Sequence, residues 1–125
     1  MDMRRAFIFA LGAVLILACG EKKGGYIPED GLIFVENDTD WGVLYTLEDL
    51  DAGIIIAEGN VPAGQRVQLV QEPIKGGTRV RLTLVARHGT TNSAKLEFVV
   101  DGNVTYRVPS IGAWGSGHLP VERVR

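Results

Sequence analysis

The chain has 125 residues, with 13 Lys and Arg against 15 Asp and Glu, a formal net charge of −2 and a single cysteine. That length suits one domain of modest core, and the acidic balance excludes the basic footprint that nucleic-acid binding requires. One cysteine excludes an intrachain disulfide, CxxC redox chemistry and cysteine-clustered zinc, so packing alone must hold the fold.

Arg4 and Arg5 precede an apolar run from Ala6 to Ala18 that stops at Cys19. A charged start, a short apolar core and a small residue at the expected cut form the three-part pattern of an export signal. As a helix the run reaches roughly 20 Å, short of the ~30 Å hydrocarbon core of a bilayer. The string Ile16-Leu17-Ala18-Cys19 resembles the lipobox of bacterial lipoproteins. The resemblance covers residues 1 to 20. It implies cleavage before Cys19, acylation of Cys19 and a mature chain attached by lipid to the bacterial cell envelope. Leu17 departs from the Ala or Ser more usual at its place, and Gly20 in place of Asp implies the outer membrane if the organism is Gram-negative. The alternative reading makes Cys19 a small apolar residue closing an ordinary signal peptide.

Glu21-Lys22-Lys23-Gly24-Gly25 combines charge with paired glycines, offers nothing to bury and reads as a flexible tether. The expected organisation is therefore a signal peptide over 1–18, a lipidated cysteine and tether over 19–30, and one domain over 31–125.

From Gly31 onward, short apolar runs alternate with Gly, Asn, Asp and Pro every eight to twelve residues, and no stretch shows helical periodicity. This predicts an all-β fold, a small immunoglobulin-like antiparallel β-sandwich of about seven strands. The strands are expected near Leu32–Glu36, Val43–Glu48, Ile54–Glu58, Arg66–Gln71, Thr78–Arg87, Lys95–Val100 and Val104–Pro109. The clearest alternation puts Val80, Leu82, Leu84 and Ala86 on a core face and Arg79, Arg81, Thr83 and Arg87 on a wet one. The same logic turns Val67, Leu69, Leu96, Phe98 and Val100 inward.

Turns are expected at 37–42, 49–53, 62–64, 73–77 and 88–93. Asp101-Gly102-Asn103 reads as a three-residue hairpin loop pairing Val100 with Val104, Phe98 with Tyr106 and Leu96 with Val108, which sets Glu97 opposite Arg107. The tail from Ser110 is glycine-rich around Trp114, and Val121 to Arg125 forms a short edge strand or stays loose.

Candidates for chemistry are few. Ser93, Ser110 and Ser116 with His88 and His118 supply the residue types of nucleophilic catalysis, but none stands in a G-x-S-x-G elbow. Asp38 and Asp40 flank one strand end, and Glu48, Asp49 and Asp51 another. Together they would suit one calcium ion, or else they bond their own turns. Arg79, Arg81, Arg87, Lys95 and Arg107 form either a basic stripe or a solvated face. Trp41 and Trp114 serve as recognition anchors or as lids over the core. The sequons at Asn37 and Asn103 carry meaning only in a eukaryotic secretory path.

The reading that follows is a lipid-anchored envelope protein with a non-enzymatic interaction or structural domain, attached to the membrane at Cys19. Its further partner is an unidentified protein or envelope ligand; no nucleic acid, cofactor or metal is expected. The alternatives are a calcium-stabilised adhesion or ligand-binding module, and a small hydrolase using His88 or His118.

Overall fold

The computed structural model describes residues 26–88, 90–110 and 117–124, without the side chain of His88; Cys19, Trp114 and Ser116 lie outside the described residues. Eight strands follow one another: β1 (Ile33–Asn37), β2 (Val43–Asp49), β3 (Ile54–Val61), β4 (Arg66–Gln68), β5 (Arg79–His88), β6 (Thr90–Val99), β7 (Val104–Val108) and β8 (Glu122–Arg123). They form two four-stranded sheets, ordered β8-β7-β1-β4 and β3-β2-β5-β6. The fold is the all-β sandwich its alternation predicts. All seven expected strands are present, and the tail adds the eighth as a two-residue edge.

Alternation drives the packing. Val80, Leu82 and Leu84 are fully buried and Ala86 nearly so, facing Ile33, Val35, Val104 and Val108 of the other sheet. Period-two burial is what two stacked sheets impose, because successive side chains point to opposite faces. Neighbouring strands run antiparallel with one exception: β1 lies parallel to β7, in register from Ile33 opposite Val104 to Asn37 opposite Val108.

That parallel pair overturns the hairpin expected around Asp101–Asn103. β6 pairs with β5 along its whole length, from Arg79 opposite Val99 to His88 opposite Thr90, while β7 joins the other sheet. The loop therefore carries the chain from one sheet to the other, and Glu97 never faces Arg107. Glu97 instead accepts from Arg81 at 2.9 Å, and Arg107 reaches Glu122 at 3.4 Å. Phe98 does meet Tyr106, but across the interior.

The turn expected over 88–93 shrinks as well. Thr90 to Ser93 belong to β6, whose alternation continues through Asn92. This polar residue is tolerated at full burial because its amide donates to Thr90 O and accepts from Gly117 N. The expected tether over 19–30 overlaps the described chain at 26–30. Tyr26 to Asp30 are hydrogen-bonded onto the sandwich, as described next.

Candidate functional site

The strands place their loops at two poles. At the pole where the described chain enters lie Tyr26–Asp30, the 49–53 turn, the 74–77 turn and the 101–103 loop. The Tyr26 hydroxyl donates to the Asp101 carboxylate, Glu29 N donates to the same group at 3.1 Å, and Gly102 N donates to Glu29 O at 2.8 Å. Asp30 Oδ1 accepts from Gly76 N at 2.8 Å. Glycine makes this approach possible: a Cβ on Gly31 would stand 1.9 Å from Gly102 O, and one on Gly76 would stand 2.2 Å from Pro28 O.

Hydrogen bonding sets the local electrostatics. The Tyr26 hydroxyl, followed by Glu29 N, holds the Asp101 carboxyl below its ordinary pKa. The same bond to Asp101 raises the Tyr26 phenol, because a donor bonded to a carboxylate resists losing its proton.

Beside this segment, on the outer face of the β8-β7-β1-β4 sheet, lies an open concavity of about 720 Å³ bounded by Glu29, Asp30, Phe34, Arg66, Asn103 and Thr105. The Arg66 guanidinium stands 4.0 Å over the Phe34 ring, pairs with Glu36 at 3.4 Å and donates to Thr105 Oγ1 at 3.4 Å. One fixed cation between carboxylates and amides suits hydrogen bonding to a polar ligand.

The opposite pole is built on Asn37, which is fully buried. Its Nδ2 donates to Trp41 O at 2.6 Å and Val61 O at 2.9 Å, and its Oδ1 accepts from Thr39 N at 3.0 Å and Thr39 Oγ1 at 2.6 Å. The sequon there is a turn device, its amide already consumed. Trp41 is half-buried at this turn, as a lid residue would be.

Among the described residues the two acidic groups do not converge as one shared calcium site would require. Asp38 and Asp40 precede β2 while Asp49 ends it and Asp51 follows, about 20 Å away along a strand of that length. Each cluster serves its own turn: Asp49 Oδ1 accepts from Ala52 N, Asp51 from Arg79 N, and Asp38 lies 3.8 Å from Arg107.

The basic stripe is divided and largely neutralised. Arg107 sits on the other sheet from Arg79, Arg81 and Lys95. Arg81 lies between Glu97 and Glu48, whose hydrogen bonds and charges, Glu97 first, raise its already high pKa.

Ser93 and His118 are brought together. They form a parallel bridge, with Ser93 N donating to Gly117 O at 3.1 Å and Leu119 N to Ser93 O at 3.0 Å. Among the described residues no side-chain hydrogen bond joins them. Among the described residues, the shallow concavity they share with Lys95, Leu96 and Val121 has no carboxylate in its wall. Ser110 is exposed.

Arg66 over Phe34, Tyr26 on Asp101 and Asn37 in its turn were not singled out from sequence. Two carried a signal: Tyr26-Ile27-Pro28 is an apolar interruption that a solvated tether does not need, and Asn-x-Thr also spells a side-chain-capped turn.

No protein-family model matches this chain, and no curated protein does. Among solved structures, the 5-hydroxyisourate hydrolase of Klebsiella pneumoniae is similar at 16% identity, with a TM-score of 0.49, over 76% of this chain and 100% of that one. A likeness that distant bears neither on the activity nor on the role of any residue.

Proposed function

We propose that the chain is a lipid-anchored protein of the bacterial envelope, acylated at Cys19 after removal of residues 1–18, with the sandwich serving as a non-enzymatic interaction or structural module. One observation carries the reading: Arg4 and Arg5, the apolar run and Ile16-Leu17-Ala18-Cys19 stand in the lipoprotein order in a chain with no other cysteine. Two or three acyl chains, each buried methylene adding about 0.8 kcal/mol, make such attachment durable. The domain then works by tethering, since confinement near a surface raises the local concentration of whatever its loops contact. An open polar concavity whose one cation is held by Glu36, Phe34 and Thr105, and a Ser93–His118 pair joined through backbone bonds, support binding over catalysis.

Mass spectrometry of the mature protein tests the anchor. Acyl chains on a terminal Cys19 are expected, together with accumulation of the unprocessed chain in Cys19→Ser. A free thiol at Cys19, or a retained leader in mature material, would falsify the proposal.

A further inference from the structure

Among the described residues seven large apolar side chains stand exposed, and five belong to the chain-entry pole: Tyr26 at 74%, Ile27 at 80%, Ile54 at 55%, Ile55 at 54% and Val99 at 52%. The register places them there. Ile54 and Ile55 pair with Asp49 and Glu48 at the foot of β2, and Val99 pairs with Arg79 at the foot of β5. Gly76 and Gly102 tie the same end to Asp30 and Glu29. Scattered exposed apolar residues need no explanation, but a concentration at one pole marks a contact surface.

The chain ahead of the domain selects the occupant. Seven residue steps separate Cys19 from Tyr26 and span at most about 25 Å in any conformation. β5, ten residues long, runs about 30 Å from this pole toward the other. A lipid on Cys19 therefore holds the entry pole within about 25 Å of the bilayer and makes it the end of the domain nearest the anchor. The charge at this pole is mixed, since Arg123, whose charge acts on Asp101, joins Lys75 and Arg79 against the carboxylates there, and Lys22 and Lys23 lie between the pole and Cys19. A near-even balance provides no basic cluster for anionic headgroups to attract, so the contact is apolar and a zwitterionic surface suffices for it.

We propose that Tyr26, Ile27, Ile54, Ile55 and Val99 seat the sandwich on the zwitterionic headgroup region of its own membrane, turning the Trp41 pole outward; this rests on the lipid anchor at Cys19. The domain is then held in one orientation on the surface.

The test uses the full mature lipoprotein in phosphatidylcholine vesicles containing headgroup-spin-labelled lipid, with fluorophores on single cysteines introduced as A52C in the entry-pole turn or A63C in the opposite one. Cys19 carries the lipid, so the introduced thiol is the one available for labelling. The expected result is strong quenching at residue 52 and background quenching at residue 63. Adding Ile54→Thr and Ile55→Thr, both on exposed strand positions and neither setting a like charge opposite Asp49 or Glu48, should lower the seated population by roughly tenfold while the melting temperature holds. Equal quenching at both poles with Cys19 acylated, or quenching unchanged by the double substitution, overturns the seat and leaves the anchor standing. Absence of acyl chains on Cys19 in the same sample overturns the anchor and the seat together.

Discussion

Phe98 and Tyr106 meet with ring centroids 5.3 Å apart and planes inclined by 53°, each ring contributed by a different sheet. The tilted geometry sets ring edge toward ring face, an arrangement worth about 0.5–1.5 kcal/mol beyond area burial. A double-mutant cycle with Phe98→Leu and Tyr106→Leu, read by urea unfolding, is expected to return a coupling in that range. Additive effects would mean that the two sheets are not joined through this pair.

Asn37 holds the far pole through four hydrogen bonds, two of them donated to backbone carbonyls: Trp41 O, which Thr39 Oγ1 also reaches at 3.0 Å, and Val61 O. Asn37→Ala removes all four bonds from a fully buried site, Trp41 O keeping only the one from Thr39 Oγ1, and should cost about 2–3 kcal/mol. Asn37→Asp keeps the acceptor but loses both donors and should also be destabilising. Stability within about 0.5 kcal/mol of wild type in either variant contradicts the network.

The docked segment is bounded by pH. Asp101 has a folded pKa below its ordinary 3.8, so its contribution is complete above that value and is lost as pH falls through the lowered one. Tyr26 has a folded pKa above its ordinary 10.0, so its contribution is complete below that value and is lost as pH rises through the raised one. Carboxyl titration by NMR should find Asp101 returning toward 3.8 in Tyr26→Phe. An unchanged Asp101 titration in that variant means that the phenol does not bond to it.

Gly31→Ala forces a methyl against Gly102 O and Asn103 N, both backbone atoms that cannot rotate away. The expected cost is about 2 kcal/mol, with faster amide exchange at Gly102 as Glu29 O moves off. Wild-type exchange at Gly102 in this variant would refute the close approach.

Separation of Asp38 and Asp40 from Asp49 and Asp51 by the length of β2 leaves no shared coordination sphere of ~2.3–2.6 Å metal–oxygen bonds. Thermal unfolding in calcium and in chelator should coincide. A rise of several degrees with calcium would require a site formed differently.

Strand identity was legible because it is local: the Val80, Leu82, Leu84, Ala86 alternation needs nothing beyond its own spacing to declare a buried face. The partner of a strand is not local. Asp101-Gly102-Asn103 bends the chain equally well into a hairpin or a crossover between sheets, and both keep Phe98 and Tyr106 inward. The choice fell to β1, whose parallel pairing with β7 joins residues about seventy positions apart. The same distance hid the site: Tyr26 reads as tether until Asp101 stands beside it, and Arg66 reads as a solvated strand residue until Phe34 and Thr105 close around it.

Sequence alone determined the all-β class, the inward faces and the lipoprotein-like pattern ending at Cys19, since each depends on residue order over a short window. Only the tertiary structure decided which strands share a sheet, that the acidic turns stand at opposite ends of β2, and that the exposed apolar residues gather where the chain enters. Those facts depend on contacts between distant segments, whose free energies compete across the whole fold and leave no trace in any single stretch of chain.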